Sequence, residues 1–314
     1  MKRQLFFILA CMSLTLQSLA ADFCASDFCA SETCADCFGF DSVLIFGVGG
    51  GYRNDSLKWK VFPRTPPGRE IEEQWKNVGM GVVETNVQFL VCEHYLFKVD
   101  FDCGWFSNNG SQRYIDNDFT GNNVSDVPVN LKAKPRGNTY NLSGGLGYQF
   151  NLDCYRLSLA PLIGYSRYQQ RFKGRTYNNA FTPADPEILA HNNYKFRWSG
   201  PWIGFALAYQ ATCEFQVFFD YSYHWVRFKG NVRENFFPGE LPSHLRSNNA
   251  YGNEFVVGGV YTFCDSWCVG VKFDYKQFCG NKGSFKSEGE EESSPLRKLN
   301  WQSSTITLDI AYAF

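Results

Sequence analysis

The last ten residues of the chain, "TITLDIAYAF" at Thr305–Phe314, decide the fold. Large apolar side chains alternate with small or polar ones along the whole segment, and the apolar set is Ile306, Leu308, Ile310, Tyr312 and Phe314. Successive side chains of a β-strand point to opposite faces, so the segment predicts a strand with one apolar and one polar face. One such strand fits either a soluble sandwich, which buries the apolar face, or a transmembrane barrel, which turns it to lipid.

The same alternation recurs in segments that carry charged residues on the polar face. These segments are 83–91, 95–105, 215–225 and 269–276, and their polar faces include Glu84, Lys98, Asp100, Asp102, Asp220, His224, Lys272 and Asp274. Aromatic residues make up 18% of the chain, with 30 Phe and 17 Tyr, and many lie on the apolar faces. That composition favours lipid with its interfacial aromatic girdles. The sequence therefore predicts an all-β protein, a transmembrane antiparallel β-barrel.

The connections between these segments alternate between short and long. Short ones surround Cys92, Cys154, Cys213 and residues 264–268, and long polar ones cover 55–70, 107–136, 177–192, 230–250 and 280–298. This alternation predicts about ten strands in a barrel of residues 41–314. In bacterial barrels the short turns face the periplasm and the long loops face outside.

The first residues indicate export. Lys2 and Arg3 precede a short apolar run that ends in small residues at Ala20, which is typical of a secretory signal peptide over residues 1–20. The run is too short for a membrane-anchoring helix. A final strand that ends in Phe314 resembles the C-terminal signal read by the outer-membrane assembly machinery. These features predict a location in the outer membrane of a Gram-negative type of cell.

A cysteine-rich stretch, "DFCASDFCASETCADC" at Asp22–Cys37, follows the predicted signal peptide and lies in a predicted periplasmic tail of residues 21–40. The chain has 12 cysteines, and removal of Cys11 with the signal peptide leaves 11, an odd number. An oxidising compartment favours disulfides, within the barrel or to other envelope proteins. A zinc site is the alternative, but the Cys-x4-Cys-x4-Cys-x2-Cys spacing does not match the usual paired ligands, so we predict no metal and no cofactor. The disulfide candidates are Cys24, Cys29, Cys34, Cys37, Cys92, Cys154, Cys213, Cys264 and Cys268.

Two other features exclude nucleotide and nucleic-acid chemistry. The net charge is about -1, which gives no bulk attraction to nucleic acid. "GVGGG" at Gly47–Gly51 lies in a predicted first strand with no helix after it, so it is not a nucleotide-binding loop. Small residues at a crowded place in the barrel explain this motif better.

The second half of the chain resembles a known family, the omptins. The similarity is carried by "CYRLSLAPLIGYSRYQQRFKG" at 154–174, "YKFRWSGPWIGFALAYQATCEFQVFFDYSYHWV" at 194–226 and "RENFFPGE" at 233–240, in that order. It extends over residues 41–314 and is best from 136 to 282. Omptins are ten-stranded outer-membrane endopeptidases, so the resemblance implies the same barrel. The cysteine-rich composition is also similar to that of chlamydial outer-membrane proteins.

The omptin resemblance implies a catalytic site that this chain does not retain. "YIDNDF" matches the omptin aspartate pair and places it at Asp116 and Asp118, although a solvated acidic loop would have the same pattern. The Asp–His dyad positions hold Arg233 and Asn235, and neither side chain can act as a general base. His244, further along the same loop, would replace the dyad histidine only if the loop folded back.

The resemblance also implies a contact with lipopolysaccharide through basic side chains on the outer wall. Arg197 matches one omptin position, and strand parity turns Lys195 and Arg197 outward. Arg167, Arg171 and Lys173 lie near the extracellular end of the preceding strand, where cations could bind lipid phosphates. A simple solvated rim is the alternative.

The sequence thus predicts an outer-membrane barrel with an omptin-like scaffold and no protease dyad, acting as a structural or interaction protein that disulfides cross-link in the envelope. An outer-membrane endopeptidase with a rearranged dyad and a porin are the alternatives. A ten-strand lumen is narrow, and charged residues would fill it with ion pairs; these are Glu84, Lys98, Asp100, Asp102, Lys272, Asp274 and Asp309.

Overall fold

A computed structural model describes most of the chain after residue 41. The described residues are 42–62, 69–106, 110–118, 136–152, 156–177, 189–233, 242–264, 266–289 and 291–314. The predicted signal peptide (1–20), the predicted periplasmic tail with its cysteines (21–40), Cys154 and Asn235 lie outside these residues. Among the described residues no helix is long and apolar enough to cross a membrane.

All of the secondary structure described is β-strand. The strands are β1 (Ser42–Val61), β2 (Arg69–Val91), β3 (Tyr95–Phe106), β4 (Ser111–Asp118), β5 (Arg136–Tyr148), β6 (Phe150–Leu152), β7 (Leu157–Tyr177), β8 (Leu189–Gln210), β9 (Phe215–Arg233), β10 (Ser243–Cys264), β11 (Trp267–Gly280), β12 (Gly283–Ser287) and β13 (Ser294–Ala313).

The strands form one closed antiparallel barrel. Neighbours around the wall run β1-β13-β11-β10-β9-β8-β7-β5-β3-β2, and β1 pairs β2 to close the ring. The three short strands lengthen this wall at its two ends, and the end with the long loops is called the upper end. At the upper end β4 pairs with β2 beyond β3, and β12 pairs with β10 and β13 beyond β11. At the lower end β6 pairs with β7 beyond β5. The prediction of a barrel of ten strands is confirmed.

The outer surface has the pattern of a lipid-facing wall. On β13, Ile306 and Leu308 are 54% and 63% exposed, whereas Thr307 and Asp309 between them are 1% and 3% exposed. The apolar face therefore points outward, opposite to a soluble sandwich, as a membrane barrel requires. Exposed aromatics border the apolar band on two sides; the upper girdle is Tyr52, Trp105, Tyr140, Trp225 and Tyr251, and the lower girdle is Tyr95, Tyr148, Tyr209, Tyr261 and Trp267.

The strands continue well above the upper girdle, and this corrects the predicted loops. Strand β1 extends to Val61 and β9 to Arg233, so much of 55–70 and 230–250 is strand. Strands β4 and β12 lie within the segments 107–136 and 280–298 that were expected to be loops. Alternation persists in these extensions, but the apolar side chains now face inward, so the lipid-facing pattern is a poor guide to where these strands end.

Inside the barrel, side chains form three layers. The upper layer is an apolar cluster that includes Trp59, Trp75, Tyr168, Phe172, Tyr194, Phe196, Trp198, Phe228, Phe278 and Trp301, called the aromatic plug from here on. The middle layer is charged and is described below. The periplasmic end is closed by smaller apolar groups, among them Leu90, Leu96, Ala160, Ala208, Phe218 and Val260.

Candidate functional site

Ion pairs that join distant strands fill the middle of the lumen. Lys98 on β3 pairs with Asp220 on β9, and Lys272 on β11 lies 2.6 Å from Glu84 on β2. Lys276 on β11 pairs with Asp274 and with Glu254, the latter at 2.6 Å. The small cavity of about 90 Å³ among these groups has room for a few waters only. The prediction that charges would fill the lumen is confirmed.

A buried arginine ties the charged layer to the plug. The Arg53 guanidinium is 1% exposed, donates to Asp55 at 2.8 Å and 3.1 Å, and reaches Asp102 at 3.2 Å. Gln170 donates to the same Asp55 carboxylate at 2.8 Å, and the Trp301 indole N–H does so at 3.3 Å. A buried guanidinium is stable only with such paired and hydrogen-bonded partners, so this cluster locks four strands together.

A histidine lies in the same layer but without access to a substrate. His224 is 0% exposed; its Nδ1 lies 3.1 Å from Ser166 Oγ and its Nε2 lies 2.7 Å from Ser222 Oγ. Glu254 Oε2 is 3.2 Å from Nε2 and also accepts from the Tyr168 hydroxyl at 2.8 Å. A serine, a histidine and a carboxylate, the residue types of a hydrolase triad, are in contact here. Because the histidine is completely buried, we interpret the cluster as a structural hydrogen-bond network.

The aromatic plug closes the space above. Trp198 on β8 stacks on Trp301 on β13 at 6.0 Å between ring centroids, from opposite walls of the barrel. Trp75 on β2 contacts Phe172 on β7 at 5.4 Å and Tyr194 on β8 at 5.0 Å. The side chains of Trp75, Trp198 and Trp301 are 0% exposed. Among the described residues, aromatic rings therefore fill the upper part of the barrel interior.

The described residues include only part of the site that the omptin resemblance implies. Asp116 and Asp118 lie in β4, opposite Ile71 and Arg69 of β2, and their side chains are outside what the structure describes. Arg233 ends β9 with an exposed side chain, and Asn235 is not among the described residues. His244 is exposed on β10, and its Nδ1 lies 3.1 Å from Asn231 Oδ1. It sits on the outer face, beside buried Leu245, so it does not face the lumen.

A second candidate site covers the outer wall above the upper girdle. The residues of the lipopolysaccharide prediction all lie there: Arg167, Arg171 and Lys173 are exposed on β7, and Arg197 is half-buried on β8 between buried Phe196 and Trp198. The structure adds basic residues from β9, β10 and β12 that sequence reasoning did not assign to this surface. The whole set, called the basic wall, is Arg167, Arg171, Lys173, Lys195, Arg197, Arg227, Lys229, Arg233, Arg246 and Lys286, with His244 beside them.

Strand register aligns these cations in rows. Arg197 on β8 lies opposite Lys229 on β9, and Lys229 lies opposite Arg246 on β10. Like charges directly opposite each other destabilise a sheet. No ion pair joins a basic-wall cation to a carboxylate among the described residues; Arg197 instead donates to Gln169 Oε1 at 3.3 Å.

The far side of the barrel shows that this charge pattern is local. On the outer faces of β1 and β2, Lys58 pairs with Glu72, and Lys60 pairs with Glu70 and with Glu72, the last at 3.2 Å. Carboxylates therefore neutralise the cations on β1–β2, whereas no described carboxylate pairs with the basic-wall cations of β7–β10. A groove of about 450 Å³ runs through the basic wall, lined by Arg171, Lys173, Lys195, Arg233 and His244, with Glu288 as its one acidic side chain among the described residues.

The cysteines are placed unequally. Cys92 and Cys213 lie in short turns at the periplasmic end, at 92–94 and 211–214, and Cys264 ends β10. Cys268 was expected in a turn but is the second residue of β11, with a buried free thiol whose Sγ lies 3.9 Å from the Ala311 carbonyl oxygen. Its inward direction in the strand removes it from the rim, so it is poorly placed for the predicted disulfide. Within the described part of the chain, no group of three or more His, Cys, Asp or Glu side chains is placed to hold a metal ion.

The comparisons with known proteins agree with this architecture. The family model described as "Pom: Protochlamydia outer membrane protein" matches residues 47–314. The chain belongs to the Pom family. The location of this Pom barrel in the outer membrane, predicted from the sequence, is thereby confirmed. No curated protein matches the chain.

Among solved structures, the Pom barrel is similar to the outer membrane protease OmpT from Escherichia coli, with a TM-score of 0.70 and 12% identity over 88% of this chain and 98% of that one. At this identity the similarity shows the fold alone, and it confirms the predicted omptin-like barrel. A major outer membrane protein from Thermus thermophilus matches with a TM-score of 0.37 and 13% identity, over 87% of this chain and 99% of that one. The CymD monoaromatic hydrocarbon channel matches with a TM-score of 0.33 and 11% identity, over 86% and 87%.

Proposed function

We propose that this protein is a structural and interaction component of the outer membrane. Its sealed barrel contacts the phosphates of lipopolysaccharide through the basic wall. Cysteines of the N-terminal tail and of the periplasmic rim link it to other envelope proteins by disulfides.

The observation that carries this proposal is the filled lumen. A porin needs a continuous aqueous path, and an endopeptidase needs a cleft that admits a peptide. Trp75, Trp198 and Trp301 are fully buried where either would run, and ion pairs occupy the layer below. The surfaces left for function are therefore the outer wall, the strand tops and the periplasmic rim.

The basic wall supports the lipid contact. Rows such as Arg197–Lys229–Arg246 place like charges on neighbouring strands, and anionic groups between them would remove that repulsion. Guanidinium and ammonium groups form strong, charge-assisted hydrogen bonds with phosphate oxygens. The wall lies directly above the upper girdle, and aromatic girdles of membrane proteins sit at the level of the lipid head groups.

The rim supports the disulfide links. Cys92 is partly exposed in its turn at this end. The tail precedes β1, which starts at the same end: the Phe314 amide donates to the Leu44 carbonyl oxygen at 2.9 Å. Tail and rim cysteines thus share one compartment, and a connection of a few residues would let them meet within the roughly 7 Å that a disulfide allows.

Two activity assays test the sealed lumen. The refolded full-length barrel in a planar lipid bilayer should give only leak current, and peptides with basic sites incubated with it should remain uncut. A known porin and an active outer-membrane endopeptidase serve as positive controls. Stepwise ion currents that scale with protein, or cleavage that Asp116→Asn abolishes, would overturn the proposal.

A non-reducing gel tests the cross-links. Envelopes should show the protein in high-mass species that collapse to monomer on reduction, and deletion of residues 22–37 should remove most of them while the barrel still folds. Cys279→Ser is the matched control, since Cys279 lies high on β11 away from the rim, and it should leave the ladder unchanged. A monomer band with all thiols open to alkylation in intact cells contradicts the proposed links.

A further inference from the structure

The "GVGGG" motif makes room for two acidic side chains that meet in the lumen. Gly49 on β1 lies opposite Glu84 on β2 and opposite Asp309 on β13. A Cβ at Gly49 would lie 1.8 Å from Asp309 Oδ1 and 2.8 Å from Glu84 Cγ, so both carboxyl groups pack on the same bare backbone. The Asp309 carboxyl group and the Glu84 side chain therefore share one small space beside Gly49.

The surroundings do not compensate two negative charges. The Lys272 ammonium lies 2.6 Å from Glu84 Oε1, and the Thr307 hydroxyl donates to the same oxygen at 3.1 Å. Asp309 Oδ1 is buried with no donor within hydrogen-bond distance among the described residues. The titratable groups that face Asp309 are Glu84 from β2, Asp100 from β3 and Lys272 from β11, while β1 contributes only Gly49.

We propose that Glu84 and Asp309 form a proton-binding site, in which one proton is shared between the two carboxyl groups of the folded barrel. A carboxyl O–H then donates to the neighbouring carboxylate, which supplies the missing donor and leaves one negative charge beside Lys272. Two ionised carboxylates in contact repel each other, and a buried, unpaired charge is expensive, so a shared proton is the stable arrangement.

The site links the stability of the barrel to pH. The folded chain holds a proton that the unfolded chain releases above about pH 4, where an exposed aspartate ionises. The contribution of this proton to stability is therefore complete in acid and falls as the pH rises, until the folded barrel loses the proton as well. One proton corresponds to a drop in melting midpoint of roughly 2–3 °C for each pH unit in a chain of this size.

The test follows the melting midpoint of the refolded full-length barrel between pH 5 and pH 9, read from the shift of folded to unfolded bands on gels of unboiled samples. Asp309→Asn keeps the shape of the side chain and offers Glu84 an amide N–H donor without binding a proton. It should therefore remove the fall in melting midpoint of roughly 2–3 °C per pH unit that the shared proton causes. Glu84→Gln should do the same, since Asp309 then pairs with Lys272. Asp220→Asn, which removes the carboxylate that pairs with Lys98, should lower the midpoint at every pH and keep the slope.

Infrared spectra provide a readout that does not depend on unfolding. At neutral pH the folded protein should show the C=O stretch of a protonated carboxyl group, and Asp309→Asn should remove it. A wild-type midpoint that is flat from pH 5 to pH 8, an unchanged slope in both variants, or no protonated-carboxyl band would each overturn the shared proton.

Discussion

At the residue scale, this barrel depends on which side chains share a small interior. Arg53, Asp55 and Asp102 show how tightly the charged layer is matched, and Gly49 shows how little space remains beside it. The inward direction of Asp309 and Lys98 was predictable, because strand parity sets it. Their partners on distant strands were not, because parity says nothing about which walls face each other across the lumen.

The two neighbouring glycines of β1 give a matched pair of substitutions. Gly49→Ala should lower the free energy of unfolding by about 1–3 kcal/mol, because its methyl group meets the Asp309 carboxyl group. Gly50→Ala points to the outer surface, where a Cβ would have no atom within 4 Å, and should change the stability little. Urea unfolding of both variants in the same detergent measures this difference. Equal losses would mean that the Gly49 contact is relieved by a shift of the backbone.

At the element scale, apolar and polar side chains alternate along the whole strand, but the apolar ones point outward in its lower part and inward in its upper part. In β9, Phe215, Val217 and Trp225 are exposed on the outer face, whereas Val226, Phe228 and Val232 turn inward to the plug. The lower part was predictable from the sequence. The end of the strand, from residue 230, was assigned to a loop. The reason is that a strand whose apolar side chains change from the outer to the inner face no longer has the pattern of a membrane strand. The sequence does contain one indication of the plug. Tyr194, Phe196 and Trp198 alternate with the outward-facing Lys195 and Arg197, so strand parity turns these three aromatic side chains inward.

The row of cations across β8, β9 and β10 predicts opposite effects in two lipids. Neutralising it with Arg197→Gln, Lys229→Gln and Arg246→Gln should raise the stability in zwitterionic detergent by up to about 1–2 kcal/mol, since two like-charge contacts are removed. Lipopolysaccharide should stabilise the natural barrel and not this variant. Melting midpoints with and without the lipid measure both effects.

The paired cations of β1 serve as the control for that experiment. Lys58→Gln with Lys60→Gln removes salt bridges to Glu70 and Glu72, so it should cost roughly 1–2 kcal/mol at most. Its response to lipopolysaccharide should equal that of the natural barrel. If the triple variant also responds fully, the basic wall is a solvated rim.

At the scale of the whole molecule, the barrel has two cores of different kinds. Below the upper girdle, lipid covers the outside and ion pairs fill the inside. Above it, polar and charged side chains cover the outside and aromatic rings fill the inside, as in a soluble domain. The fold class and strand number followed from the sequence because lipid imposes a regular pattern. The filled upper half did not follow, because the omptin resemblance implies a cleft there.

Hydrogen exchange should report the second core. Backbone amides around Phe196 and Phe228, above the girdle, should exchange about as slowly as those around Val217 and Phe219 in the membrane, because a packed interior protects them without lipid. Mass spectrometry of the barrel in detergent measures both sets. Exchange of the upper amides within minutes, with the lower set protected, would show that the plug does not stabilise its strands.

The aromatic plug also has an optical consequence. Trp198 and Trp301 stack at an interplanar angle of 26°, and Phe278 stacks on Trp301 at 5.1 Å. Indole rings held this close in a fixed, chiral arrangement couple their electronic transitions, which gives a strong near-ultraviolet circular dichroism signal. The chain therefore has a built-in spectroscopic reporter at the centre of its sealed half, and its ellipticity measures, without any label, whether the two walls are still in contact.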